Sequence, residues 1–278
     1  MRGFASDSRA VEMQRQPPQL RESKISYSSN TKGTMIELDT LYNEDCLEGM
    51  KRIPDGTIDA VICDLPYGTT QNAWDSMIPL DELWKQYERI IKPNGAIVLF
   101  GQALFTVELI CSNKILYRYS LVWEKTRAGG FLNANRMPLQ CHEDIAVFYK
   151  KLPTYNPQME KGEPYYKVQV HNGDGGNFGK FDRIGQVYDN KGERYPKSII
   201  KFANDNHDSL HPTQKPVDLL RYLVLTYTNE GDTVLDNCMA VARRPSLASR
   251  SVGTSSALNS QRNTSTRPCD ASRLSRLS

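Results

Sequence analysis

Long apolar runs are missing from this 278-residue chain. No stretch approaches the about 20 consecutive apolar residues that a membrane-crossing helix needs. The N-terminus has no apolar core of a secretory signal, so the expected location is the cytoplasm. Paired cysteines are missing too. The six cysteines stand at 46, 63, 111, 141, 238 and 269, with no Cys-x-x-Cys among them and no matching His spacing. No metal site is expected, and thiols lying in apolar runs read as buried and free in a reducing compartment. His142-Glu143 has no second His four residues on, which removes the zinc-hydrolase pattern. Strong charge is also lacking: a net +3 permits a nucleic-acid partner without arguing for one. No Gly-x-Gly-x-x-Gly turn follows any apolar run, so a nicotinamide-dependent oxidoreductase is the weakest enzyme reading.

What is present is an alternation of strands and helices. Residues 1–34 are polar, with Pro17-Pro18 and few apolar positions, and read as a disordered leader. Pattern begins after Met35. Glu37 to Tyr42 reads as a strand and Leu47 to Arg52 as a short helix, with Asp45 a candidate N-cap. Ile58-Asp-Ala-Val-Ile-Cys63 is short, apolar and β-branched, the mark of a buried parallel strand. Leu80, Leu83, Trp84, Tyr87, Ile90 and Ile91 fall at helical spacing. Lys92-Pro93-Asn94-Gly95 is expected to end that helix, with Ala96 to Phe100 the next buried strand. Leu104 to Lys114 reads as a helix, and Tyr117 to Trp123 and Ile145 to Tyr149 as strands. Between those two strands lies a polar loop, Glu124 to Glu143, longer than structural loops usually are. Val217, Leu220, Leu223, Val224 and Tyr227 stripe a further helix, with Thr213 expected as its N-cap and Pro216 in its first turn. Thr233 to Asp236 is a strand ending in an acid. Such alternation gives an α/β fold.

In an open α/β sheet, ligands sit beyond the carboxyl ends of the strands. The strand ending at Cys63 runs into Asp64-Leu65-Pro66-Tyr67-Gly68. A carboxylate and an aromatic ring there, on a loop stiffened by Pro66, suit a flat polar ring. Tyr67 would supply a stacking face, Asp64 an acceptor for an amino group, and the Leu65 carbonyl a second acceptor. Asp-Leu-Pro-Tyr resembles the Asp-Pro-Pro-Tyr signature of the amino-group DNA methyltransferases, which move a methyl group from S-adenosylmethionine to adenine N6 or cytosine N4. Leu65 departs from the usual Pro, a tolerable change because that position contributes a main-chain carbonyl in the family. Asp at the first position points to adenine, since the cytosine enzymes usually carry Ser there.

A second motif agrees. His211-Pro-Thr-Gln-Lys-Pro216 is similar to the cofactor motif that precedes the glycine-rich strand in the class whose base-binding signature comes first. The acidic turn at Asp45-Cys46 resembles the one that precedes the signature. The resemblance runs from Met35 to about Met239 and implies a Rossmann-like S-adenosylmethionine-dependent methyltransferase sheet. By that resemblance Asp64, Leu65, Pro66 and Tyr67 are catalytic. Asp45, Cys46, Asp64, Thr213, Lys215 and Asp236 bind S-adenosylmethionine, with Lys215 facing its methionine carboxylate. The implied partner is double-stranded DNA with one base flipped out.

The division expected on this basis is a catalytic part at 35–152, a target-recognition region at 153–210 and a cofactor-binding part at 211–239. Residues 153–210 lose periodicity and gain Pro and Gly, and they interleave aromatic with basic residues (Tyr165, Tyr166, Lys167, Phe178, Lys180, Phe181, Arg183) as nucleic-acid surfaces do. On the Glu124–Glu143 loop, Lys125, Arg127, Asn135 and Arg136 suit contacts to phosphates and bases. The loop after Gly68, with Trp74, suits closure over a flipped nucleotide or packing on the core.

The resemblance stops after Met239. The family places a glycine-rich turn after the strand ending in Asp236, so that main chain can approach the cofactor closely. Here Ala240-Val-Ala-Arg-Arg-Pro-Ser246 follows, then a Ser- and Arg-rich tail with no aromatic residue and no strand or helix pattern. Codon degeneracy permits another reading. One G restored after the Met239 codon regroups the bases as Gly-Ser-Gly-Thr-Thr, then a helical Ala-Val-Ala-Cys-Ile-Ala-Glu, then His-Phe-Ile-Gly-Phe-Glu, a strand ending in an acid. Residues 240–278 are therefore read as a disordered, frameshifted tail, which resequencing across Met239 decides. The sheet is expected to be incomplete at this end, with an exposed apolar edge and weak cofactor binding. Three readings stay beside the adenine one: a cytosine-N4 enzyme, a non-catalytic remnant that binds DNA, and a methyltransferase for RNA or protein glutamine.

Overall fold

The computed structural model describes residues 26–28, 36–38, 40–68, 77–170, 173–175, 179–181, 184–204, 215–238 and 255–259. The elements up to the central hairpin are β1 (Ser26–Ser28), β2 (Thr40–Asn43), α1 (Cys46–Met50), β3 (Ile58–Cys63), α2 (Leu80–Ile90), β4 (Ile91–Gly101), α3 (Ala103–Ser112), β5 (Tyr117–Gly129) and β6 (Gln140–Phe148). Short strands follow: β7 (Glu160–Lys161), β8 (Tyr165–Val168), β9 (Gly173–Gly175), β10 (Gly179–Phe181), β11 (Val187–Asn190) and β12 (Glu193–Arg194). Then come β13 (Ile199–Phe202), α4 (Val217–Tyr227), β14 (Val234–Asp236) and β15 (Ser255–Asn259).

Nine strands make one sheet in the order β1-β2-β15-β14-β3-β4-β6-β5-β13. Pairing is parallel from β1 through β4, and β6 runs antiparallel to both β4 and β5. The chain is α/β, as its alternating pattern implies. Strand side chains alternate faces, so β3 divides its residues between two cores. Val61 and Cys63 pack with Leu83, Trp84, Tyr87 and Ile90 of α2 and Phe105 and Leu109 of α3. Ala60 and Ile62 pack with Leu219, Leu223, Val224 and Tyr227 of α4. Both faces are covered, which is why the run reads as continuously apolar.

Local chemistry sets the elements around β3. Asp45 caps α1, its Oδ1 accepting from the N–H groups of Leu47 at 3.0 Å and Glu48 at 3.2 Å. Arg89, in the last turn of α2, donates to the main-chain oxygens of Ile53 and Met50, each at 2.7 Å, and so ties α2 to the end of α1. Gly95 lets β4 approach β3 at a register shift, since a Cβ there would lie 2.7 Å from the Asp59 oxygen.

Four expectations change. Lys92 to Gly95 forms no separate turn: α2 ends at Ile90 and β4 begins at Ile91, which pairs with Ile58. The Glu124–Glu143 loop is in part hairpin: Glu124 pairs with His142 and, past an irregularity in the register, Gly129 pairs with Gln140. Main-chain pairing extends past the core there, where no apolar alternation marks it. The start of α4 has Pro216 at its N-cap, and Thr213 lies outside the described residues.

The last change concerns the tail. β15 lies between β14 and β2, so the open edge expected after Asp236 is paired. Strand pairing uses main-chain groups that every residue but proline carries in full, so a segment without apolar patterning can still occupy the slot. Its five positions coincide with Phe-Ile-Gly-Phe-Glu of the restored reading frame. The remaining tail, the leader outside β1 and the Trp74 loop lie outside the described residues.

Candidate active site

Asp64 leaves the carboxyl end of β3, at the rim where α/β sheets hold ligands. Its two carboxylate oxygens are held separately. Tyr67 donates its hydroxyl to Oδ1 at 2.8 Å, closing the loop on itself. Lys215, just before α4, donates from Nζ to Oδ2 at 2.7 Å. Leu65 between them is 3% exposed and packs in the α2 core, which holds the loop against the sheet. Phe105 backs the Tyr67 ring at 4.9 Å with planes inclined by 32°.

Lys215 is the centre of an ion chain. Its Nζ also lies 3.2 Å from Glu143 Oε2, and Lys125 Nζ lies 2.5 Å from Glu143 Oε1. Asp64, Lys215, Glu143 and Lys125 thus alternate in sign along a mostly buried line. Glu143 Oε2 has this ion pair but no well-aligned hydrogen bond. Aromatic rings enclose the cations: Lys215 Nζ is 5.1 Å from the Phe100 centroid, and Lys125 Nζ is 5.2 Å from that of Trp123.

The titration directions follow from this packing. Burial pulls the Lys215 ammonium down, but Asp64 and Glu143 together outweigh it and its pKa ends raised. Burial, then the charges of Asp64 and Glu143, lift the Tyr67 phenol well above its ordinary value. Lys215 is therefore a cation and Tyr67 a neutral donor at neutral pH.

Beside this site, β14 ends at Asp236. Burial pushes its carboxyl up to about 6. Its Oδ1 accepts from the Cys238 N–H at 3.0 Å, and the buried Asn237 accepts from the Tyr87 hydroxyl at 2.6 Å. The thiols of Cys46 and Cys63 both hydrogen-bond Cys238. The ends of β14, β3 and the start of α1 therefore converge on one cluster. Burial lifts the Cys63 thiol to about 11, whereas the bond from Cys238 draws Cys46 down.

Of the residues singled out in the sequence, Asp64, Leu65, Pro66, Tyr67 and Lys215 come together. Cys46 and Asp236 meet in the neighbouring thiol cluster, and Asp45 caps the helix that Cys46 begins. Lys215 faces Asp64 and Glu143 here. Lys125 turns inward to Glu143, whereas Arg127, Asn135 and Arg136 stand exposed on the hairpin. The sequence reading missed Glu143 and misassigned the inward role of Lys125. The available signal was alternation: Leu121, Trp123 and Lys125 share one face of β5, and Glu143, Ile145 and Val147 one face of β6.

A cofactor with a nucleoside and an amino-acid end has partial support in these residues. The strand ends offer Asp236 and the Asp45-Cys46 turn, and Asn237 anchors the chain as it leaves β14. Ala240 and Ala242, which follow, carry Cβ atoms where a close main-chain approach calls for glycine.

The profile of the family described as DNA methylase matches residues 58–239. Among curated relatives, the type II methyltransferase M.BglII of Bacillus subtilis is 26% identical over 76% of this chain, and the chain spans 62% of that protein. The DNA adenine methyltransferase YhdJ of Escherichia coli K12 is 23% identical over 72% of this chain and 71% of its own length. Among solved structures, the PvuII cytosine-N4-specific DNA methyltransferase aligns with a TM-score of 0.57 and 12% identity, covering 82% of this chain and 84% of that one. That likeness is one of fold.

Proposed function

The chain belongs to the amino-group DNA methylase family, whose methyl donor is S-adenosylmethionine, and from that premise we propose that it methylates adenine N6 in double-stranded DNA. The observation that carries this is the Asp64 carboxylate, fixed at the end of β3 by Tyr67 and Lys215. A base in a duplex cannot reach such a buried rim, so the target must be extruded. Tyr67 stacks on it, with its plane set by Phe105. Each Asp64 oxygen has already accepted one bond and keeps a further lone pair for an amino N–H. The Leu65 carbonyl accepts the second.

Lys215 fixes one Asp64 oxygen at 2.7 Å and so sets the direction in which the carboxylate accepts. Accepting hydrogen bonds from both amino N–H groups leaves electron density on the nitrogen. When bound, S-adenosylmethionine supplies a methyl group on a positively charged sulfur. Asp45, Cys46, Asp236 and the Thr213–Lys215 segment are the residues assigned to holding it. This chain's own part is positioning and electrostatics, with no covalent enzyme intermediate. Residues 153–210 are assigned to reading the target sequence. Tyr166, on the β8–β11 pair outside the main sheet, is 69% exposed there, and Tyr195, directly after β12, is 74% exposed.

One observation favours a second reading, a DNA-binding protein without catalysis: the missing glycine turn after Asp236. Unmethylated DNA, labelled S-adenosylmethionine and chromatography of the digested nucleosides separate the readings. Label in N6-methyldeoxyadenosine, lost in Asp64→Ala while a mobility shift persists, supports the proposal. Label in N4-methyldeoxycytidine overturns the choice of base. A mobility shift with no label in either supports the non-catalytic reading.

A further inference from the structure

The tip of the β5–β6 hairpin carries apolar side chains that no described residue covers. Phe131 is 68% exposed, Leu132 102% and Met137 58%. An exposed leucine is ordinary by itself. These, however, stand on an ordered turn. Gly130, at φ 84°, opens a short 3-10 turn over Phe131–Asn133. Main-chain bonds then run from Asn133 N to the Gly130 oxygen at 2.9 Å, and from Arg136 N to the Asn133 oxygen at 2.8 Å. Asn204 braces the stem, accepting from Thr126 Oγ1 and Arg127 N, each at 2.9 Å, and donating to the Arg127 oxygen at 3.1 Å. The turn displays its apolar residues instead of folding them back.

The surroundings identify what the tip meets. From Lys125 to His142 there is no acidic residue, and Arg127 and Arg136 stand exposed on either side of Phe131-Leu132. The root of the same hairpin is Glu143, in contact with Lys215, which holds Asp64. Gly129 pairs with Gln140, three residues from Glu143 along β6, which carries the tip roughly 10 Å beyond that root. This is the scale of a DNA groove. Cations flanking an apolar point complement a polyanion with a stacked apolar interior.

Resting on the DNA methyltransferase reading, we propose that Phe131 and Leu132 are a wedge that enters the base stack of duplex DNA. The wedge fills the gap left by the base delivered to Asp64 and Tyr67, while Arg127 and Arg136 hold the adjacent phosphates. Apolar side chains inserted between base steps are an established way to unstack and kink a duplex. The hairpin joins that act to the catalytic carboxylate through β6, which runs from Gln140 beside the tip to Glu143 beside Lys215.

The test compares two duplexes of one sequence, intact and with a single central abasic site, by fluorescence anisotropy with the full chain. An abasic duplex has no base to displace, so a wedge binds it more tightly, by about ten-fold. The Phe131→Ala/Leu132→Ala double variant is expected to keep its melting temperature and lose that preference. Arg136→Ala is expected to weaken both complexes equally and keep it. A double variant with undiminished preference overturns the wedge. So does a wild type that binds both duplexes alike, or a double variant that changes only self-association in sedimentation. Wild type that binds neither duplex overturns the DNA reading together with the wedge.

Discussion

Lys215 and Asp64 lie 151 residues apart in the chain and meet at 2.7 Å. Lys215 also closes on Glu143, so one ammonium holds two carboxylates from different strand ends. Lys215→Met is expected to destabilise the fold by about 3 kcal/mol, because it leaves two mostly buried acids without their shared cation. Urea unfolding at pH 7 measures this. The Lys215 pKa is raised in the fold, so its contribution is complete below about pH 10 and is lost as pH rises through the folded value. Glu143→Gln in the Lys215→Met background should cost much less than Glu143→Gln alone; additive effects would show the ion chain to be energetically idle.

Asp236 titrates in the opposite sense. Its carboxyl is raised from 3.8 to about 6 by burial, so folding favours the protonated form. Stability from this group is highest below about pH 4, falls as pH rises through 6, and is fully lost above 7. Asp236→Asn should therefore match wild type near pH 4 and exceed it by about 3 kcal/mol at pH 7.5. Equal melting temperatures for the two proteins at pH 7.5 would contradict the assignment.

Tyr87→Phe removes the hydroxyl that donates to the fully buried Asn237 at 2.6 Å. The orphaned amide oxygen should cost about 2 kcal/mol. The double variant Tyr87→Phe/Asn237→Leu should recover part of that, since neither polar group is then left alone. Native-state hydrogen exchange is expected to localise the loss to β14 and the residues after it.

Calorimetric titration of this chain with S-adenosylmethionine is expected to show weak or undetectable binding, because Ala240 and Ala242 stand where glycine belongs. Inserting one G after the Met239 codon restores Gly-Ser-Gly-Thr-Thr and places Phe-Ile-Gly-Phe-Glu over the positions of β15. The resulting protein should bind at least about ten-fold more tightly, or 1.4 kcal/mol. Micromolar affinity in the unaltered chain would show that the turn is dispensable.

Asp64, Tyr67 and the buried strand before them were legible in the sequence, since a β-branched run ending in Asp-Leu-Pro-Tyr states its own face and its own terminus. Asp45 as a helix cap and the stripes of α2 and α4 were legible for the same reason: each depends on residues within a few positions of one another. Glu143 was not, although it completes the site. Its role depends on the β5–β6 register, which carries it to Lys215 across the sheet, and no local pattern encodes a contact over that separation. Lys125 reads as a phosphate ligand by charge alone, and only the alternation of β5 turns it inward to Glu143. Nor could the sequence place Ser255–Asn259 between β2 and β14, because main-chain pairing is nearly blind to side-chain type. The sequence by itself determined the α/β class, the central strand and the acid at its tip, all properties of short segments; the tertiary structure alone decided which distant charges gather at that acid, because register and packing bring Lys215 to 2.7 Å from Asp64 and 3.2 Å from Glu143.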